Sequence, residues 1–150
     1  MKVALSSDHR GFSAKEHLKI YLSAAGHTVS DFGCDSPASC DYPDTSLAGA
    51  KAVSQGEADA GIFFCGTGIG TSIAANKVRG IRAALCHDEL TAELSRRHNN
   101  ANVLCLPADL LGEELIRRVV DVWLRTDYEG GRHDRRLKKI ADYEMNGQCK

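Results

Sequence analysis

The chain has no apolar run near the length needed to span a membrane, which argues against a transmembrane helix. From Met1-Lys2 it passes directly into Val3-Ala4-Leu5, too short for the apolar core of a signal peptide, so the cytoplasm is the expected compartment. An excess of one charge is also missing. With a formal net charge of −1, no broad basic field recruits nucleic acid or an anionic membrane, and the basic clusters lack interleaved aromatic rings for base stacking. The expected partner is a small molecule. Six cysteines, at 34, 40, 65, 86, 105 and 149, form no Cys-x-x-Cys pair, so neither disulfides nor a structural zinc is expected. What is present is a chain of 150 residues, 43% of them hydrophobic, a size and composition suited to one domain around one core.

The segment from Gly61 to Asn76 organises the rest. Its first half is apolar and uncharged, as a buried strand requires; its second half spaces Gly66, Gly68 and Gly70 two apart and then reads as a helix of small residues. Strand, glycine turn and helix meet at Cys65. The glycines let a ligand approach the backbone, and the first N–H groups of the following helix are left unpaired, so the turn suits a negative charge. A thiol beside a helix start is favoured as thiolate, so a base and an anion hole would adjoin. The same residues also fit Cys65 as a small buried hydrophobe, with glycines that only let helix and strand pack closely. A nucleotide loop fits worse: there is no Gly-Lys-Ser/Thr, and Gly66-x-Gly68-x-Gly70 lacks the last spacing of the dinucleotide fingerprint.

Taken in order, Val3–Ser6 reads as a strand and Phe12–Ala25 as an amphipathic helix ended by Gly26. Thr28–Phe32 is a second strand, and 33–42 a polar loop. Pro43 then opens a helix to about Ser54. After the strand at Ala60–Phe64 come a strand at Ile81–Cys86, a helix capped by Asp88 and running to His98, and a strand at Val103–Leu106. Leu111, Leu115, Val119 and Trp123 keep helical spacing, and a charged helical arm occupies about 131–146. Strands alternating with helices predict an α/β fold, a doubly wound five-stranded parallel sheet with helices on both faces. Ligands bind such sheets at the carboxyl ends of the strands. Asp8 and His9, Cys65, and His87 follow three of the strands and therefore share that edge; His98 and Asn99, at the far end of a helix, do not.

The chain resembles the type B ribose-5-phosphate isomerases, a family that includes the galactose-6-phosphate isomerase subunits. The likeness covers nearly the whole chain. It rests on Ser7-Asp8-His9-x-Gly11-Phe12, Asp41-Tyr42-Pro43, Cys65-Gly66-Thr67-Gly68-Ile69-Gly70, Ile73-Ala74-Ala75-Asn76-Lys77, Gly80-Ile81-Arg82-Ala83, Ser95-Arg96-x-His98-Asn99 and Tyr128-Glu129-Gly130-Gly131-Arg132-His133. The resemblance implies a flavodoxin-like or Rossmann-like three-layer sandwich and an isomerase without metal or organic cofactor, working as a homodimer, or a tetramer of paired dimers, with each site completed by the partner chain. Its substrate would be ribose 5-phosphate or ribulose 5-phosphate.

By the same resemblance Cys65 is the base, the amides of Gly66 to Gly70 hold the enediolate oxygen, and Thr67 relays protons between the sugar oxygens. His98 opens the furanose ring, Asp8, Tyr42 and Asn99 hold hydroxyls, and His9, Arg132 and Arg136 hold phosphate. Each has a plainer reading: Asp8 as a turn former, Tyr42 as a core ring, Thr67 as a turn stabiliser, Asn99 as a helix end, and Arg132 and Arg136 as a solvated basic face. Four-residue spacing does place those two arginines on one helical face, where they can converge on one dianion. One departure stands out. Family members often carry an arginine where this chain has Asp109, and a carboxylate there repels phosphate unless Arg10 compensates. Allose, galactose or tetrose phosphates are therefore alternative substrates, and a non-catalytic sugar-phosphate-binding homologue is the alternative outside the enzyme class.

Overall fold

The structure is a computed structural model and describes residues 1–145. Five strands alternate with helices along the chain: β1 (Lys2–Ser7), α1 (Phe12–Ala24), β2 (Thr28–Asp31), α2 (Tyr42–Ser54), β3 (Ala60–Cys65), α3 (Ile69–Ala75), β4 (Ala83–Leu85), α4 (Glu89–Asn99), β5 (Val103–Pro107) and α5 (Glu113–Arg125). A 3₁₀ turn at Gly131–His133 then leads into α6 (Asp134–Met145). Residue 146 of the expected arm, and Cys149, lie outside the described residues. No helix among those described is long and apolar enough to cross a membrane.

The uncharged runs become the middle of the sheet. All strands are parallel, in the order β2-β1-β3-β5-β4, and every residue of β3 and β5 is buried. Alternate side chains serve two cores. Leu5, Ile62, Phe64 and Leu104 face α1 and α5, where Leu18, Leu22, Val119 and Trp123 meet them; Ala4, Phe63, Val103 and Cys105 face α2 and α3, with Ala50, Val53 and Ala75. Fully burying a Leu or Phe is worth roughly 1.5–3 kcal/mol, so truncating Phe63 or Leu104 would loosen both the sheet and the turns at its ends. The order reverses beside β1: β2 lies on one flank and β3 on the other, which opens a crevice at the carboxyl ends of β1 and β3.

Local expectations hold with small shifts. Asp88 caps α4 by accepting from the Thr91 amide at 2.7 Å. The fourth strand is shorter than its apolar run, because it lies at the sheet edge and the amide of Arg82 is taken by Asn102 Oδ1 at 2.8 Å. Leu111 falls before α5 but still packs on the core.

The cysteine expectation is corrected. Cys34 and Cys40 are joined as a disulfide, while Cys65, Cys86 and Cys105 are free. The loop between β2 and α2 folds back on the end of β1: the Cys34 amide donates to Ser7 O at 3.0 Å, and the buried Lys15 donates from Nζ to Cys34 O at 2.9 Å. This return brings together two cysteines whose spacing matches no familiar motif.

Candidate active site

Cys65 ends β3 inside the crevice and is only 4% exposed. The backbone then turns through Gly66, Thr67 and Gly68 into α3. Gly68 has φ of +72°, in the left-handed region, and a Cβ there would lie 2.5 Å from Leu85 Cδ1 and 3.1 Å from the backbone of Leu106. Glycine is therefore required. Among the described residues, no backbone carbonyl accepts from the amides of Thr67, Gly68 or Gly70, and Ile69 N has only the Thr67 hydroxyl at 3.4 Å. These donors are available to an oxyanion. Because α3 has seven residues, an oxyanion here would be met by the individual amides rather than by a long helix dipole.

The neighbouring strand and helix supply side chains. Asp8, 6% exposed, accepts from the amides of Arg10 and Gly11 through Oδ1, at 2.9 and 3.0 Å, so its turn-forming role is real and Oδ2 is left over for a ligand. His9 Nδ1 meets the backbone of Cys40, 3.2 Å from the carbonyl and 3.3 Å from the amide. Depending on tautomer it donates or accepts there, and either way Nε2 points elsewhere. Tyr42 begins α2 and lays its ring against Gly70, where a Cβ would sit 2.7 Å from Cζ. Beneath it, the buried Ser46 and Thr71 hydroxyls meet at 2.6 Å and pin α3 to α2. Thr67 is exposed.

His98, Arg132 and Arg136 gather around His133 as a second cluster, while Asn99, next in the chain to His98, accepts from Arg82 Nε through its carbonyl at 3.1 Å. His98 stacks on His133, with ring centroids 4.4 Å apart. Glu129 Oε2 lies 3.7 Å from His98 Nε2 and 3.9 Å from His133 Nε2, and Arg97 Nη2 is 3.6 Å from the same oxygen. Arg132 Nε and Arg136 Nη1 each stand 3.4 Å from a ring nitrogen of His133. Burial, then His98 and the two arginines, push the His133 pKa below its ordinary value. A neutral His133 thus sits among fixed positive charge. His98, Glu129 and His133 offer ligand atoms within 4.8 Å of one another, as a metal would need, but a cation would face both guanidinium groups. The cluster suits an anion better.

The two clusters do not meet within one chain. Helix α4 starts beyond the carboxyl end of β4 and runs back for eleven residues, about 16 Å at the usual rise. It finishes where Asn102 O accepts from Gly61 N, at the start of β3. Cys65 is at the other end of that six-residue strand, so His98 and Cys65 lie at opposite edges of the sheet. His87 shares the edge with Cys65, but β5 stands between β4 and β3. Roles for Glu129 and His133 do not emerge from sequence reasoning, although both lie in the Tyr128–His133 motif that carries the resemblance and His133 falls between Arg132 and Arg136. Asp109 proves to be paired with Arg10, at 2.6 Å from Nε to Oδ2, so it does not present a lone negative charge.

Comparison with known proteins gives a consistent result. A family model described as Ribose/Galactose Isomerase matches residues 3–140. Ribose-5-phosphate isomerase B of Escherichia coli is 46% identical over 144 residues, covering 96% of this chain and 97% of that protein. The structure of ribose-5-phosphate isomerase B from Clostridium thermocellum superposes with a TM-score of 0.96 at 46% identity, over 97% of this chain and 99% of that one. Ribose-5-phosphate isomerase B from Mycoplasma genitalium, solved with bound ribulose-5-phosphate, gives a TM-score of 0.92 at 41% identity, over 96% of each chain.

Proposed function

The chain belongs to the ribose/galactose isomerase family, and from that premise we propose that it interconverts ribose 5-phosphate and ribulose 5-phosphate with Cys65 as the base. The observation that carries the reading is the thiol of Cys65 at the mouth of a turn whose amides at Thr67, Gly68 and Gly70 have no backbone acceptor among the described residues. In the open-chain aldose, Cys65 takes the proton from C2, and the electron pair moves into the C1 carbonyl to give an enediolate. The free amides hold its oxygen; one preorganised donor of this kind is worth roughly 2.7–4 kcal/mol of barrier. Thr67, which both donates and accepts, passes a proton between O2 and O1. The Cys65 thiol then returns its proton to C1, leaving the ketose. Nothing is consumed.

Ring opening needs a proton moved from the anomeric hydroxyl to the ring oxygen, and imidazole at His98 is suited to this near neutral pH. Arg132 and Arg136, with His9, bind the phosphate, and Asp8, Tyr42 and Asn99 bind hydroxyls. Since His98 and Cys65 stand at opposite edges of one sheet, the working unit is a symmetric homodimer in which the partner's His98 completes the site. The exposed Ile69 and Ile73, beside the cradle on α3, support an interface there. The proposed compartment is the cytoplasm; the free thiols of Cys65, Cys86 and Cys105 favour it, and the Cys34–Cys40 pair does not.

The deciding experiment is Cys65→Ala, assayed in both directions. Turnover should fall by about 10²–10⁴-fold with sugar-phosphate affinity retained, as expected for loss of a general base. A variant that binds and turns over as before would make the protein something other than a thiol-dependent isomerase.

A further inference from the structure

Because β1 and β5 are the two neighbours of β3, the loops after them flank the cradle on either side. The β5 loop is laced to it: the Ala108 amide donates to Cys65 O at 2.9 Å and the Asp109 amide to Gly66 O at 3.0 Å. From the other flank, the turn held by Asp8 directs Arg10 toward the same place. Arg10 and Asp109 meet directly over Gly66, where an added Cβ would lie 2.5 Å from Asp109 Oδ2 and 2.9 Å from Arg10 Nε. Behind the pair is an open cavity of about 270 Å³ between α1 and α5, lined by Arg10 itself, by Ala14, Leu18, Leu111 and Ile116 among its apolar residues, and by Glu113 among its charged ones. One side of Arg10 therefore bounds the cradle and its other side bounds an open pocket with an apolar floor and the charged side chains of Glu113 and Arg117.

We propose that the Arg10–Asp109 ion pair is the specificity-determining wall of the site: it limits the length of the sugar phosphate that fits and closes the cradle off from the cavity between α1 and α5. This inference rests on the isomerase reading above. The pair acts through bulk and position. Each charge is spent on the other, so neither is left as a free ligand or a lone repulsive group beside His9. The two side chains are 58% and 32% exposed, and exposed pairs add little to folding, so the wall can be removed without unfolding the protein.

The test measures binding of five-carbon and six-carbon aldonic acid phosphates, which cannot isomerise, to the full-length protein by calorimetry. Arg10→Ala and Asp109→Ala should each shift the affinity ratio toward the six-carbon ligand by about 10- to 100-fold, the range that one added carbon can command in a shaped pocket. The double variant should match the singles. Ala14→Leu, which fills the cavity, should leave binding by the unaltered protein unchanged and should reverse the shift in the Arg10→Ala background. Equal weakening of both ligands would make Arg10 a phosphate ligand and overturn the proposal. So would a shift that Ala14→Leu does not reverse. Failure of the unaltered protein to isomerise ribose 5-phosphate would sink the functional reading instead, and the binding ratio, which needs no turnover, keeps the two outcomes apart.

Discussion

The cradle at the end of β3 is built mainly from backbone, whereas the cluster at the end of α4 is built from side chains. In the cradle the donors are amides fixed by a glycine turn with one left-handed residue and by β strands buried on both faces. In the cluster, Arg132 and Arg136 reach the ring of His133, and His98 and His133 reach Glu129, by contacts of 3.4–3.9 Å, longer than good hydrogen bonds. The difference matches the work proposed for each. Charge that develops during a reaction is best met by donors that need not reorganise; a phosphate, charged throughout, can be gathered by longer arms.

Separation of the two clusters gives the largest testable effect. Cys65→Ala and His98→Asn should each be nearly inactive alone. Mixed and allowed to exchange subunits, they should recover roughly a quarter of native activity, since half the dimers are mixed and each has one intact site. No recovery despite verified exchange would mean that each chain works by itself.

Next in size is Gly68→Ala. A side chain at φ of +72° that also presses on the Leu106 backbone should cost about 1–3 kcal/mol of stability, read as a lower thermal midpoint, and should disorder the amides enough to depress kcat. An unchanged kcat would show that the cradle tolerates movement. In the other cluster, Arg132→Ala and Arg136→Ala should raise KM by about 10- to 100-fold each with smaller changes in kcat, the value of a charged hydrogen bond to phosphate. An unphosphorylated sugar should not feel either change.

The smallest effect concerns His133. Its pKa is lowered in the folded protein, so the unfolded chain takes up the proton first. Stability should be full above the ordinary histidine value of 6.5 and decline as pH falls below it. Thermal midpoints measured from about pH 8 to about pH 5 should show this decline, and His133→Asn should flatten it.

How much of this was legible beforehand depends on range. Apolar runs, the proline at the start of α2 and the Asp88 cap are local signals, and they place the elements to within a few residues. The Cys65 turn is local too, since three glycines beside a thiol within six positions mark a tight passage from strand to helix. The Cys34–Cys40 pairing was not legible, because it depends on a loop returning to the end of β1. Charge alone singled out Arg10 as able to compensate Asp109, but not that the two meet directly across 99 residues, which turns a charge that looked hostile to phosphate into half of a neutral pair.

The amino-acid sequence by itself determined the alternation of strands and helices, the glycine turn after Cys65, and the residue types able to do the chemistry, because each follows from backbone sterics and side-chain pattern over a few neighbours. Only the tertiary structure decided which of them meet. Strand order put β1 and β5 beside β3, and so brought Arg10 and Asp109 over Gly66; the direction of α4 carried His98 to the opposite edge from Cys65. Those placements come from how buried faces pack across the whole sheet, a property that no short stretch of chain contains.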